Sequence, residues 1–425
     1  MKYNWRIIDS VLRDRLDYAG AVLVQGAKWC GKTTSCEQVA KSVLYMADPE
    51  RRVDYLQFAE TNINRLLKGE QPRLIDEWQD APQLWDAIRF AVDHSEAVGQ
   101  YILTGSAVPP KSDAISHSGT GRIVRLTMRP MSLLETGESN GSVSLGRLFA
   151  GERQVDGEGA ACTLDDVAMM ICRGGWPQSV LRGGRHKLQI AHDYLDAVVN
   201  VDISRVDDVK RNPERARRLI RSYARLQGTQ AGIKTIRLDM AENEGEKLSD
   251  DTVQSYVNAL KKIFVIEDMN AWCPKLRNKT VVRLGDTRYF TDPSIAAAAI
   301  GATPKDLVED TRTMGLFFEG MAIRDLRVYA DKLGGRVYHY LDGSGLDCDA
   351  VLKLEDGRYG LVEIKIGGKT LIEEGAAKMA SIVKRLSPDK MRKPSFCMVL
   401  VANGEYAYRR KDDDVIVCPI TSLGV

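Results

Sequence analysis

The sequence predicts an α/β protein that opens with a parallel sheet, continues through helical segments and closes with a second α/β domain. Three observations support this prediction. Short apolar runs alternate with amphipathic segments early in the chain, a basic helical stretch follows, and a helix with three apolar runs lies near the end. The chain has 425 residues, more than a single hydrophobic core usually organises, so we expect several domains.

The first domain, residues 1–135, is predicted from five apolar runs separated by helix-like segments. The runs cover residues 21–25, 43–47, 73–76, 100–104 and 123–126. Because strands that alternate with helices are typical of parallel sheets, we expect these runs to form one such sheet. Residues 136–205 are mostly helical in pattern and predict a helical lid or connector.

The segment from Gly26 to Thr33 matches the P-loop pattern, with a predicted strand before it and a helix after it. In such a loop the backbone N–H groups surround phosphate oxygens, the lysine reaches the β and γ phosphates and the hydroxyl faces Mg²⁺. We therefore expect ATP and Mg²⁺ as cofactors. The predicted nucleotide-binding residues are Gly26, Ala27, Lys28, Trp29, Cys30, Gly31, Lys32, Thr33 and Thr34.

Two carboxylates follow the third apolar run, where a parallel sheet presents its ligand-facing edge. We expect Asp76 to hold Mg²⁺ together with Thr33, and Glu77 to orient or deprotonate the attacking water. A cap of the next helix is the alternative for Asp76. Ser106, after the fourth run, is predicted to sense the γ phosphate, and an ordinary turn serine is the alternative. Arg122 is predicted to act in a neighbouring subunit as an arginine finger, with a surface arginine as the alternative.

The middle of the chain is basic, because residues 205–279 contain 16 Lys and Arg against 11 Asp and Glu, an excess of five. Helices are predicted at 214–227, 232–241 and 252–264, and a two-stranded segment at 265–269 and 281–290. This order predicts a winged helix-turn-helix in residues 206–302. Winged helices commonly place their third helix in the major groove of DNA, and packing between domains is the alternative. The residues predicted to contact DNA are Lys261, Lys262, Lys275, Arg277 and Lys279.

The last domain, residues 303–425, is predicted from a helix around Glu319 and three apolar runs. The runs cover residues 336–340, 347–354 and 359–366. Side chains two residues apart on a strand share a face, so Glu363 and Lys365 project together. With Asp349 and Glu319, the carboxylate of Glu363 predicts a hard-oxygen site suited to Mg²⁺ or Mn²⁺. A solvated charged face is the alternative.

Taken together, these motifs resemble the AAA+ branch of P-loop ATPases. The chain looks most like bacterial and archaeal ATPases that join such a domain to a winged helix and a C-terminal nuclease-like domain of unknown function. The resemblance implies a restriction-endonuclease-like last domain with a PD-(D/E)XK core, in which Lys365 would be the catalytic lysine beside a metal held by Glu319, Asp349 and Glu363. The departure from the family pattern is Trp29-Cys30, where smaller or polar residues are more usual. The motifs that carry the resemblance lie at 26–33, 74–77, 103–106, 121–122, 174–177, 291–293 and 363–365.

Composition excludes several other classes. With 44% hydrophobic and 28% charged residues, the chain is neither fibrous nor disordered in type. No apolar run approaches the roughly 18 residues that span a bilayer, and the N-terminus lacks a signal-peptide core. We therefore expect a cytoplasmic protein without a membrane partner. The eight cysteines and five histidines show no spacing of a zinc site or a catalytic triad.

The sequence thus predicts an ATPase whose nucleotide cycle controls a DNA-facing winged helix and a nuclease-like domain. One alternative is a Mg²⁺-dependent DNA endonuclease that ATP binding licenses. A second alternative is a nucleotide-gated binding or scaffold protein with negligible turnover. The expected partners are ATP, double-stranded DNA, a further protein and, if a finger arginine comes from a neighbour, a second copy of the chain. Fold analogy alone does not choose among these functions.

Overall fold

The computed structural model describes residues 3–106, 120–182, 184, 186–207, 209–274, 285–386 and 392–425. These residues form two compact units, and neither unit is continuous in sequence. Unit 1 comprises Met1–Arg129, Asp202–Lys210 and Ala259–Phe264. Unit 2 comprises Pro130–Val201, Arg211–Asn258 and Val265–Val425. The division into four domains that the sequence predicts is not tested by these two units and stays a prediction.

Unit 1 is built on a five-stranded parallel sheet with the strand order β2-β3-β4-β1-β5. Its helices and strands are α1 Ile7–Leu16, β1 Ala21–Gln25, α2 Lys32–Glu37, β2 Ser42–Tyr45, α3 Arg52–Thr61, α4 Asn64–Leu67, β3 Arg73–Asp76, α5 Gln83–Asp93, β4 Tyr101–Gly105 and β5 Ile123–Thr127, with 3-10 helices at Trp78–Asp80 and Asp202–Ser204. The predicted parallel sheet is therefore present. β4 lies between β1 and β3, which places the ends of these three strands side by side.

Both faces of this sheet are buried, and the alternation of side chains along β1 explains how. Ala21 and Leu23 belong to one hydrophobic cluster with Trp78. Val22 and Val24 belong to a second cluster on the other face. Strands covered on both faces read as continuous apolar runs, which is why sequence alone located them.

Unit 2 begins with helices and two short strands. Its elements up to the long helix are α6 Leu133–Thr136, β6 Val143–Ser144, α7 Leu145–Phe149, β7 Asp156–Glu158, α8 Leu164–Arg173, α9 Pro177–Arg182, α10 Gln189–Asn200, α11 Pro213–Arg225, α12 Ile233–Asn243, α13 Asp250–Lys262, α14 Pro293–Ile300, α15 Pro304–Glu309 and α16 Thr311–Lys332. The residues of α13 from Ala259 onward belong to unit 1. Residues 136–205 are thus mostly helical in the structure, and their role as a lid or connector stays a prediction.

The predicted winged helix is matched only in part. Helices α11, α12 and α13 lie where three helices were expected. After them, antiparallel bridges pair Ile266 with Phe290 and Met269 with Thr287. The segment 275–284, which would form the rest of the wing, lies outside the described residues. The described residues therefore give three helices and two bridges, which do not by themselves establish a winged helix.

The C-terminal part of unit 2 contains a seven-stranded mixed sheet with the order β7-β12-β13-β11-β10-β9-β8. Its elements are β8 Gly335–Leu341, β9 Asp347–Leu354, β10 Tyr359–Lys365, α17 Lys369–Leu386, β11 Cys397–Val401, β12 Tyr406–Arg409, β13 Ile416–Pro419 and β14 Leu423–Gly424, with a 3-10 helix at Ile420–Ser422. β14 pairs with β6 in a separate two-stranded sheet. The three predicted strands correspond to β8, β9 and β10.

A buried charged cluster in unit 2 explains two of the motifs noticed in the sequence. Arg324 is 2% exposed and binds Asp292 at 2.9 Å and Asp325 at 2.7 Å. Asp292 also accepts a hydrogen bond from the Gly175 N–H at 2.9 Å. A Cβ on Gly174, whose φ is +69°, would lie 2.4 Å from an oxygen of Asp292. The motifs at 174–177 and 291–293 therefore meet in the core of this unit.

Among the described residues, no helix combines the length and the apolar character needed to cross a membrane.

Candidate functional site

The predicted P-loop connects the end of β1 to the start of α2, at the edge of the sheet where the parallel strands end. Gly26 has a φ of +153°, and a Cβ on this residue would lie 2.1 Å from the carbonyl oxygen of Met128. Gly31 has a φ of +100°. Residues that carry a side chain rarely adopt these φ angles, so the loop backbone requires glycine at both positions.

Trp29 and Cys30, the departure from the usual loop composition, have opposite surroundings. Trp29 is 41% exposed and has a φ of +64°, which is uncommon for a bulky residue. Cys30 is fully buried, and its thiol donates to the Met128 carbonyl at 3.5 Å. The loop thus presents one of these side chains to solvent and packs the other into the unit.

The predicted metal-binding pair is in direct contact. The Thr33 hydroxyl donates to Oδ1 of Asp76 at 2.6 Å. Thr104, at the end of β4, donates to the same oxygen at 2.6 Å. The ammonium group of Lys32 binds the loop carbonyls of Gly26 and Ala27 at 3.0 and 2.9 Å. A cation, a carboxylate and two hydroxyls therefore lie at one edge of the sheet.

Glu77 and Ser106 are also brought together. The Ser106 hydroxyl donates to Oε2 of Glu77 at 3.4 Å, and the Gln79 amide donates to the same oxygen. Glu77 has a φ of +55°, a sparsely populated conformation for a non-glycine residue. Gln79 was not predicted from the sequence, because nothing in its local pattern marks it as a partner of Glu77.

The remaining predicted residues of this site have partners of their own. Arg122 forms an ion pair with Asp93, whose pKa is lowered by the hydrogen bond from Arg122. Lys28 forms an ion pair with Asp202 at 2.5 Å, and the Asp202 carboxylate is 8% exposed. The Thr34 carbonyl accepts a hydrogen bond from the side chain of Gln38, the residue that follows α2. For the predicted finger role, Arg122 would have to exchange Asp93 for a phosphate.

The C-terminal cluster brings together Asp349, Glu363 and Lys365. Lys365 binds Oε1 of Glu363 at 2.7 Å and lies 3.9 Å from Asp349. Lys378, on α17, binds the same oxygen of Glu363 at 2.7 Å and Asp347 at 2.9 Å. Sequence analysis missed Lys378 because it is contributed by a helix that follows the strand motif.

Glu319 lies near this cluster and accepts a hydrogen bond from the Tyr289 hydroxyl. Burial and the charge of Asp349 raise the pKa of Glu319 to about 8. Burial and the charge of Glu363 raise the pKa of Asp349 to about 7. These directions reflect carboxylates that are close together and poorly solvated.

The Mg²⁺ site at Glu319, Asp349 and Glu363 stays a prediction. Across the described ranges, no group of three or more His, Cys, Asp or Glu side chains has the arrangement of a metal site. Two lysines already bind Oε1 of Glu363. Oε2 of this fully buried glutamate has no hydrogen-bond partner within the described chain. The described geometry is that of an ion-paired cluster, in which a metal ion would have to replace the lysines at Oε1 of Glu363.

The predicted DNA-contacting residues are only partly described. Lys262 forms an ion pair with Asp207 at 3.4 Å, and Lys261 lies beside it at the end of α13. Lys275, Arg277 and Lys279 lie outside the described residues. The basic face of α11 is neutralised by acidic neighbours in unit 2, through the pairs Arg215–Glu246, Arg218–Glu246, Arg221–Glu244, Arg225–Asp239 and Arg225–Glu244. Much of the positive charge counted in the sequence is therefore balanced within the unit.

Three family models match separate parts of the chain. Residues 19–137, which contain the sheet edge described above, match the model of an AAA domain. This segment is therefore similar to AAA domains. The match to an AAA domain supports nucleotide binding. Residues 164–306 and 314–423 match two domains of unknown function, DUF8612 and DUF4143.

Similar proteins extend over most of the chain. The uncharacterized protein Mb2031c of Mycobacterium bovis is 23% identical over 359 residues, covering 83% of this chain and 72% of the relative. The uncharacterized protein Rv2008c of Mycobacterium tuberculosis matches with the same identity and coverage. Among solved structures, the Walker-type ATPase PABY2304 of Pyrococcus abyssi is 16% identical, with a TM-score of 0.41 over 69% of this chain and 94% of that chain.

Proposed function

We propose that the AAA domain binds ATP together with Mg²⁺ and hydrolyses it. The observation that carries this proposal is the convergence of Thr33 and Thr104 on one oxygen of Asp76, beside the Lys32 ammonium group. A phosphate chain needs a positive charge and backbone N–H groups, and its metal needs oxygen donors. Both sets of groups are present at this sheet edge.

The donor set at Asp76 fits Mg²⁺. Oδ1 of Asp76 lies 2.6 Å from each of two hydroxyl oxygens, so three hard oxygen atoms are clustered here. Thr33 and Asp76 would hold the ion, directly or through its water molecules. When bound, Mg²⁺ supplies positive charge to the β and γ phosphates.

Each side chain near the bound nucleotide would have its own role. Lys32 would exchange the loop carbonyls of Gly26 and Ala27 for phosphate oxygens. Glu77 would orient and deprotonate the attacking water, since a carboxylate within hydrogen-bond reach of a proton is a general base. Ser106 and Gln79 hold one oxygen of Glu77, and release of Ser106 to the γ phosphate would report that this group is present.

ATP binding is tested by equilibrium titration of nucleotide in the presence of Mg²⁺. Lys32→Ala is expected to weaken ATP binding at least about tenfold, because charge-assisted hydrogen bonds to phosphate are lost. Lys41→Ala is the matched control, because Lys41 is an exposed lysine of the same unit that faces Glu70 at 4.0 Å. Equal affinity in wild type and Lys32→Ala would contradict binding at this loop.

Hydrolysis is tested separately by single-turnover loss of ATP. Glu77→Gln should bind ATP normally and slow its loss by about 100-fold or more, the usual contribution of a positioned base. Glu70→Gln, an exposed glutamate of the same unit, should leave the rate unchanged. If wild type binds ATP tightly but releases no phosphate, the protein is a nucleotide-gated switch instead of an ATPase.

A second candidate function is cleavage of DNA by the C-terminal cluster. It is favoured by the buried Glu363, whose Oε2 has no partner within the described chain, and by the nearby Asp349 and Lys365. The test is incubation of plasmid with Mg²⁺ or Mn²⁺, with and without ATP. Cleavage that Lys365→Ala abolishes and Lys369→Ala retains would support an ATP-licensed endonuclease. Absence of cleavage under all conditions would sink this candidate.

We also propose, as the use of the ATPase cycle, control of a DNA-facing middle segment. The support is the predicted basic segment at 275–279 together with the helical order before it. Phosphate release measured with and without double-stranded DNA tests this proposal. Stimulation by DNA would make nucleic acid the partner, and an unchanged rate would redirect the search to proteins or to a second copy of the chain.

A further inference from the structure

Arg6 is a buried arginine that the proposed mechanism does not use. It precedes α1 and is 4% exposed. Its guanidinium group donates Nη1–H to the carbonyl of Cys30 and Nη2–H to the carbonyl of Arg129, both at 2.9 Å. Burying a guanidinium group is costly, so contacts to defined carbonyls indicate a specific role.

The segment that carries Arg6 is itself fixed to the loop and to α2. Asp9 is 2% exposed and accepts a hydrogen bond from the Arg6 N–H at 2.9 Å. The Tyr3 hydroxyl lies 2.8 Å from both oxygens of Asp9 and 2.8 Å from the hydroxyl of Ser35 on α2. The segment therefore contacts the chain on either side of Lys32.

The contact with Cys30 has a consequence for the next residue. In a planar trans peptide, the carbonyl of one residue and the N–H of the following residue point in opposite directions. A charge-assisted hydrogen bond that holds the Cys30 carbonyl therefore also fixes the direction of the Gly31 N–H. Gly31 is the second glycine of the P-loop, where backbone N–H groups surround phosphate oxygens.

We propose that Arg6 is a positioning residue of the nucleotide site. It holds the peptide between Cys30 and Gly31 so that the Gly31 N–H faces the bound phosphate, and it does not touch the nucleotide itself. Asp9 and Tyr3 keep Arg6 in place. The inference rests on the proposed function, since it requires that the loop bind ATP.

A purely structural arginine provides the control. Arg73 lies in the same unit, is 9% exposed and donates to the Leu66 carbonyl at 2.9 Å and to the Ser42 hydroxyl at 3.1 Å. It starts β3, whereas Asp76 ends that strand. Replacing Arg73 should therefore cost stability without changing the loop.

The experiment compares wild type with Arg6→Gln, Arg6→Lys and Arg73→Gln. ATP affinity, KM, kcat and thermal unfolding are measured for each. Arg6→Gln is expected to weaken ATP binding and raise KM about tenfold, equivalent to losing roughly one strong hydrogen bond. Because this contact acts equally on bound substrate and transition state, kcat should stay within about twofold. Arg6→Lys, which keeps a charge and a donor, should restore part of the affinity.

Arg73→Gln is expected to lower the unfolding temperature while ATP affinity stays at the wild-type value. A folded Arg6→Gln variant with wild-type affinity would overturn the inference. If Arg6→Gln does not fold, Arg6→Lys decides in the same way, since its affinity should still fall below that of wild type. Failure of wild type to bind ATP would overturn the proposed function as well, whereas normal wild-type binding with unaffected Arg6 variants overturns only the role of Arg6.

Discussion

At the scale of residues, the proposed nucleotide site depends on side chains that are distant in sequence and meet at one sheet edge. Oδ1 of Asp76 accepts hydrogen bonds from the hydroxyl groups of Thr33 and Thr104, each with an oxygen–oxygen distance of 2.6 Å. The positive φ of Gly26 and Gly31 shapes the loop that holds Lys32. Sequence patterns predicted Lys32, Thr33 and Asp76 as site residues, because these residue types occur at fixed places in the P-loop and acidic motifs, and the structure brings these three side chains to one sheet edge. They did not identify Gln79 or Arg6, because those contacts are made only by the folded chain.

Asp76→Asn separates the charge of this residue from its hydrogen bonds. The asparagine oxygen can still accept from both threonines, so the fold should persist, while the ligand charge for Mg²⁺ is lost. We expect Mg²⁺ to strengthen ATP binding in wild type, and this gain to fall about 10- to 100-fold in Asp76→Asn. The measurement is ATP affinity with Mg²⁺ and with a chelator. The control is Asp80→Asn, because Asp80 forms a partly exposed ion pair with Arg52. If Mg²⁺ strengthens ATP binding equally in wild type and Asp76→Asn, Asp76 is not a ligand of the ion.

At the scale of elements, long-range contacts decide what the local patterns leave open. The five strands of unit 1 and the strands β8 to β10 were predictable, since buried strands are apolar and amphipathic helices separate them. The ion pairs between α11 and acidic residues of the 239–246 segment were not predictable, because a count of charged residues does not show which of them meet in the folded chain. The wing stays a prediction, because residues 275–284 lie outside the described chain.

The cluster around Arg324 should dominate the stability of unit 2. Arg324→Met would leave Asp292 and Asp325 buried without their shared partner. Removing one member of a buried ion pair typically costs about 3–5 kcal/mol. Denaturant unfolding of unit 2 should show a loss of this size. Arg385→Met, which breaks an exposed pair with Asp342, should cost less than about 1 kcal/mol. Equal losses in the two variants would show that the cluster has no special weight.

His339, on β8, should make the stability of the fold depend on pH. This residue is 3% exposed; its Nε2 contacts the Gly285 carbonyl at 3.1 Å and its Nδ1 contacts the Gln230 amide at 3.2 Å. A carbonyl only accepts, so Nε2 carries the hydrogen and Nδ1 accepts, which is the arrangement of a neutral imidazole. Burial lowers the pKa of His339 below its ordinary value of 6.5.

The sign of the effect follows from this direction. The unfolded chain binds the His339 proton more readily than the folded chain, so the stability contributed by neutral His339 is present above pH 6.5 and is lost as the pH falls below it. Unfolding of wild type should therefore become easier between about pH 7 and pH 5. His339→Gln should reduce that slope, and His94→Gln, at an exposed position just after α5, should not. A slope unaffected by His339→Gln would contradict a neutral buried imidazole.

At the scale of the whole molecule, the chain divides into units that sequence order conceals. Unit 1 includes residues 202–210 and 259–264, far along the chain from the AAA domain at 19–137. Four successive domains were predicted because patterns are read in order, and a segment that returns to an earlier unit carries no local signal. Residues 164–306 and 314–423 match two domains of unknown function, and the proposed nucleotide site lies in the segment that matches an AAA domain.

The central claim is that Lys32 and its neighbours hydrolyse ATP, and steady-state phosphate release with Mg²⁺ tests it most directly. Wild type should release phosphate, and Lys32→Ala should reduce the rate to background, while Lys41→Ala keeps it. Phosphate release that persists in Lys32→Ala, or its absence from wild type that nevertheless binds ATP, would contradict the claim.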